Sequence, residues 1–146
     1  MTPSFPACLI AAAGAIFLLL GSLHLAITFR GPSMLPRDRE LRARMEAVAP
    51  VISRETTMWR AWLGFNASHG LGAMSFGAAY LDLALARPAL LAQDLVLQGL
   101  GAAFILAMLA LALALRYWFR VPATGIALAG LLYAAGLAGL HGAFGA

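Results

Sequence analysis

Two of the three histidines in this 146-residue chain stand where water is scarce. His24 lies in GSLHLAITF and His69 in WLGFNASHGLG, each inside a long apolar run. An imidazole can move a proton near neutral pH, ligate a metal, or donate and accept hydrogen bonds at once. Helical spacing groups the neighbours: His24 shares a face with Gly21 and Thr28, and Asn66 shares one with Trp62 and His69. His24, Thr28, Trp62, Asn66 and His69 are therefore the candidate ligand-binding residues. His69 is the candidate acid–base group, and Arg54 and Arg60 are the candidates for holding an anionic group. Polar residues gather a second time in Tyr80, Asp82, Asp94, Gln98 and His141. Asp94 and Gln98 are one turn apart, with Gly101 continuing their face, and Asp94 reads as a helix N-cap rather than a proton carrier.

Several chemistries are excluded by what is missing. The chain has no GxSxG elbow, HExxH pair, phosphate loop or dinucleotide fingerprint. Its single cysteine, Cys8, permits neither an intrachain disulfide nor a cysteine cage for a metal. A metal site would have to use the three histidines, and their expected depths place His141 across the membrane from His24 and His69, so no metal site is expected. A haem ligated by His24 and His69 is the one cofactor the histidines admit. Their depth offset of about 5 Å and the adjacency of their helices count against it.

The elements that carry these residues follow from composition. Hydrophobic residues make up 62% and charged residues 11%, with a mean hydropathy of +0.86. A soluble domain averages about 25% charged residues, so the solvent for this surface is lipid. Four uncharged segments meet the roughly 20 residues that a bilayer core requires: Ala7–Phe29, Ala61–Leu81, Leu95–Leu115 and Ala123–Phe144. The first lacks the basic start and cleavage site of a signal peptide. The expected fold is an all-α, integral membrane four-helix bundle forming a single domain over residues 1–146.

Charge gives the direction. The net charge of +4 comes from ten basic residues, all arginine. Nine lie between spans one and two or between three and four; only Arg87 lies on the other side. That asymmetry places both basic loops in the cytoplasm and both termini outside. It reads as a topology signal, and nucleic acid is not an expected partner. Arginine without lysine, among so much alanine, glycine and leucine, suggests a GC-rich bacterial genome and hence an inner membrane. The partners expected are the lipid bilayer, a lipophilic small molecule, and further copies or subunits.

The first cytoplasmic loop has its own pattern. In PRDRELRARMEAVAP, Leu41, Met45 and Val48 form an apolar stripe, while Asp38–Arg42 and Glu40–Arg44 are spaced to pair. Pro50 stops the pattern. The expectation is a short helix lying in the interface with its arginines toward anionic headgroups. RYWFR, Arg116 to Arg120, reads as an aromatic and basic belt at the same face, which Trp59 and Trp62 join.

Arg30 and Arg60 mark that interface. At 1.5 Å per residue, His24 and Asn66 both lie about 9 Å deep and His69 one turn further in. A direct His24–Asn66 hydrogen bond is the simplest pairing. Gly21 would let the second helix approach closely. Gly64, Ser68 and Gly72 form a small-residue stripe on another face, expected at a helix contact within the chain or between subunits. Gly136, Gly139, Gly142 and Gly145 slim the end of the last span.

Two resemblances follow from these residues. The block MWRAWLGFNASHG, with a first span ending in GSLHLAITF, resembles a family of small bacterial four-span membrane proteins. It covers nearly the whole chain and implies a fold without an activity. Size, span number and termini-out topology also resemble the membrane-associated eicosanoid and glutathione metabolism family. That resemblance implies a homotrimer whose cytoplasmic arginines bind glutathione. Here Arg60, Asn66 and His69 are spaced differently from that family's second-span motif and no glutamate follows in the span, so the likeness is architectural. The leading expectation is a binding or assembly subunit using the His/Asn cluster. The alternatives are a small membrane enzyme working through His69 on a lipophilic substrate, with Asn66 orienting it, and a haem-binding electron-transfer subunit.

Overall fold

The computed structural model describes residues 4–114 and 120–142. Within the RYWFR belt only Arg120 is described. Leu115, Arg116 to Phe119 and the C-terminal Phe144, Gly145 and Ala146 lie outside the described residues. Six helices run in order among the described residues: α1 (Phe5–Phe29), α2 (Arg39–Ala47), α3 (Met58–Ala86), α4 (Pro88–Gln93), α5 (Leu95–Ala114) and α6 (Arg120–Leu140). Among the described residues there is no strand.

Three of these, α1, α5 and α6, are long and apolar enough to cross a membrane. At 29 residues α3 is the longest, but Asn66, Ser68, His69 and Asp82 make it less apolar than the other three. The helices extend past several expected span limits. Thus α3 starts at Met58 rather than Ala61 and reaches Ala86, and α6 starts at Arg120 but ends at Leu140. Gly142, with φ of 88°, follows that end in the left-handed region where glycine carries no steric penalty.

Contacts divide the chain into two compact units, Met1–Leu20 with Ala73–Ala146, and Gly21–Gly72. The first unit is centred on Phe17, Ile10 and Leu91, the largest fully buried side chains. Phe17 meets Phe76 edge-on at 5.0 Å between ring centroids and Phe104 at 5.6 Å, and Phe76 stacks on Phe104 at 4.1 Å. Such aromatic pairs contribute about 0.5–1.5 kcal/mol each beyond the area they bury.

Glycine sets how closely helices approach in this unit. A Cβ on Gly77 would strike the Leu18 amide nitrogen and lie 2.6 Å from the Gly14 carbonyl oxygen. One on Gly136 would lie 2.9 Å from the Pro6 carbonyl oxygen. The outward faces are apolar: Leu95, Val96, Leu100, Leu106 and Leu113 are all exposed. An exposed apolar band on a long helix is what lipid contact requires.

In the second unit, α1 ends at Phe29 and Gly31 follows with φ of 82°, a left-handed stop to the helix. The Asp38 side chain caps α2 by accepting from the Glu40 amide at 2.8 Å. That use of the carboxylate overturns the expected Asp38–Arg42 pair. Arg42 turns instead to Glu46 at 3.0 Å, whereas Glu40 and Arg44 pair as expected, at 2.6 Å. No residue of α2 is buried, and its Leu41 and the following Val48 are exposed, as are Val51 and Ile52 beyond them. The helix is tied at its end: the Met58 amide donates to the Val48 carbonyl at 2.8 Å. The Arg42 guanidinium lies 5.1 Å from the Trp59 ring centroid, and Trp59 stacks on Trp62.

Candidate functional site

The second unit brings the His/Asn group together. His24 is 5% exposed, and its ring centroid lies 5.1 Å from that of His69, the rings meeting edge to face at 71°. Room for this contact comes from Gly70, where a Cβ would lie 3.3 Å from His24 Cδ2 and 3.2 Å from the Gly21 carbonyl oxygen. Gly21 is thus at a close approach, as its spacing suggested. Gly70, overlooked among so many glycines, is its counterpart. Among the described residues the expected stripe on the same helix is not a contact. Gly64, Ser68 and Gly72 are exposed, and a Cβ on either glycine would meet nothing.

The hydrogen bonds around the imidazoles are directional. Thr28 Oγ1 donates to the His24 carbonyl oxygen at 2.7 Å, and Asn66 Nδ2 donates to the Trp62 carbonyl oxygen at 2.8 Å. Both bonds run back one turn along their own helix, satisfying a side chain without joining two helices. Because the Trp62 carbonyl can only accept, the Asn66 nitrogen must face it, leaving the amide oxygen as acceptor for an imidazole N–H. Asn66 is the polar neighbour of His24 through both its main chain and its side chain. Ser68, one residue before His69, donates to the Phe65 carbonyl at 3.0 Å from an exposed position.

Two imidazoles in edge-to-face contact can exchange a proton, share an N–H or grip a small polar head. Their contact leaves no slot for a porphyrin between them, so the pair does not fit two axial haem ligands in this arrangement. Among the described residues no group of three or more His, Cys, Asp or Glu could hold a metal. Arg54 and Arg60 are both exposed. Neither lines the nearby cavity of about 330 Å³, which is walled by Pro32, Leu35, Pro36, Arg37, Arg39 and Arg42. Sequence reading missed that cavity. Its only signal was the pair of prolines bracketing Leu35 just ahead of the arginines.

The first unit holds the other polar group, built differently. Asp94 caps α5, its Oδ1 accepting from the Val96 and Leu97 amides at 2.9 and 3.0 Å. Tyr80 donates from its hydroxyl to the Leu97 carbonyl at 2.6 Å. Gln98 Nε2 donates to the carbonyls of Leu91 and Ala92 at 2.9 and 3.1 Å, and Gln98 Oε1 lies 2.9 Å from His141 Nε2. The two carbonyls fix the amide's orientation, so the oxygen faces His141 and the His141 Nε2 must carry the proton. Tyr133, absent from the sequence candidates, donates to the Gln98 carbonyl at 2.9 Å and meets Tyr80 ring to ring at 5.7 Å. A Cβ on Gly101 would strike the Tyr133 hydroxyl and lie 2.7 Å from Tyr80 Cε1, so glycine there admits both tyrosines.

Comparison with known proteins found no matching family, no similar curated protein and no similar solved structure.

Proposed function

We propose that the chain is a four-span protein of a bacterial inner membrane, with α3 as the fourth crossing, α2 lying at the cytoplasmic surface and both termini outside. Support comes from the three apolar helices, the one-sided arginines and the exposed leucine faces. At 29 residues α3 is about 43 Å long, ample for a crossing. Its function in this reading is binding: a small lipophilic molecule, or a segment of a partner subunit, is held against His24, Asn66 and His69. The open Gly64/Ser68/Gly72 face is where a second copy would approach.

One observation carries the binding reading. The imidazole of His24 is buried against that of His69 and beside Asn66, which also donates one amide N–H back to the Trp62 carbonyl. Interhelical hydrogen bonds in membranes average only about 0.6 kcal/mol, and two ionisable groups are more than helix register needs. The test is chemical. Protein purified from membranes is extracted with organic solvent, and the extract is compared by mass spectrometry with that of H69Q. A molecule retained by the wild type and lost in H69Q supports the reading. Equal extracts, with no species enriched over a control membrane protein, would sink it.

A further inference from the structure

We propose that the cavity walled by Arg37, Arg39 and Arg42 is a binding site for a phosphoryl group, of the kind an anionic phospholipid headgroup carries. This site lies at the start of α2, apart from the histidines, and does not depend on what they bind. Arginine's planar fork matches phosphate oxygens in pairs, so a cavity lined by three arginines suits a phosphoryl group.

The local charges leave that capacity available. Glu40 is held by Arg44, and the Asp38 carboxylate is engaged by the Glu40 amide. Among the described residues no carboxylate forms an ion pair with Arg37 or Arg39. Arg42 is fixed in advance, its Nε on Glu46 and its Cζ 5.1 Å from the Trp59 ring centroid, so its guanidinium need lose little freedom on binding. The first turn of a nine-residue helix adds a positive dipole end.

The remaining walls select among phosphates. Pro32, Leu35 and Pro36 give a stiff apolar side, suited to the carbons of an ester rather than to a fully hydrated ion. The volume of about 330 Å³ exceeds what a bare phosphate fills. Val51 and Ile52, exposed in the same unit, would enter the same lipid surface.

The full-length protein in a neutral detergent is titrated with short-chain phosphatidylglycerol, short-chain phosphatidylcholine and inorganic phosphate. Tryptophan emission reports binding, because Trp59 touches Arg42. Saturable binding of phosphatidylglycerol is expected, weakened about tenfold or more in R37Q/R39Q. R54Q/R60Q, which removes the same charge elsewhere in the unit, should shift it by less than about twofold. Inorganic phosphate binding as tightly as the lipid, with the same arginine dependence, would support the phosphoryl site and make its source a soluble phosphate. Binding weakened equally by both arginine pairs, or unaffected by R37Q/R39Q, or absent for phosphatidylglycerol and inorganic phosphate alike, or equally tight for phosphatidylcholine with no arginine dependence, would overturn the proposal.

Discussion

The two polar groups of this protein use similar residue types in opposite ways. In the first unit, Tyr80, Tyr133 and Gln98 hydrogen-bond across elements, to carbonyls 17, 35 and 7 residues away, and Gln98 reaches His141 as well. In the second unit, Thr28 and Asn66 bond one turn back along their own helix, and two imidazoles meet instead. Bonds of the first kind join helices and fix register. Bonds of the second kind join no helices, and the pairing there rests on glycine and on the contact of His24 with Asn66 and His69. Polarity inside an apolar helix is therefore no single signal. What matters is whether its partner lies on the same helix or another.

The largest effect expected from this contrast concerns glycine. Gly77→Ala forces its Cβ into the Leu18 backbone and should lower stability by about 3 kcal/mol or prevent folding. Gly72→Ala meets nothing and should be neutral or stabilising by up to about 1 kcal/mol through helix propensity. Thermal unfolding of the pair in detergent checks both. Equal losses would mean that the approach of helices is not set where the structure sets it.

Next in size are the cross-element bonds. Gln98→Leu leaves the Leu91 and Ala92 carbonyls and His141 without that partner, and should cost about 2–3 kcal/mol. Tyr133→Phe removes one bond to a buried carbonyl and should cost about 1 kcal/mol. Asp94→Ala removes the cap of α5 and should cost about 1 kcal/mol. Chemical denaturation of all three, read by helical signal, gives the order. Tyr133→Phe matching Gln98→Leu would assign the energy to the tyrosine pair instead.

Smallest is Ser68→Leu. Its side chain is exposed, so the melting temperature should not move, while oligomer size in detergent should change if a second copy covers that face. A shift in melting temperature without a change in size would place the face against the chain itself.

How much of this was legible in sequence depends on the range of the interaction. Asp94 was readable as a cap because a cap is local, within three residues of what it satisfies. The Glu40–Arg44 pair was readable for the same reason. Asp38–Arg42 failed because the same carboxylate had a nearer competitor, an unsatisfied helix-start amide. Tyr133 was invisible: its partner is 35 residues away, and a tyrosine among alanine, leucine and glycine looks like any apolar position. Which glycines of α3 meet α1 was hidden for a related reason. α3 carries glycine at 64, 70, 72 and 77, and choosing between faces requires knowing the helix's rotation, which only packing supplies. Neither did sequence show α4, six residues that Pro88 starts and Leu91 anchors.

Binding at the histidines, against structure around Gln98, is decided by measuring stability and ligand retention together in H69Q and Q98L. H69Q should unfold within about 1 kcal/mol of the wild type yet lose the molecule that co-purifies with it. Q98L should do the reverse, losing about 2–3 kcal/mol of stability and keeping the molecule. An H69Q protein that is destabilised as much as Q98L and still retains the molecule would contradict the account.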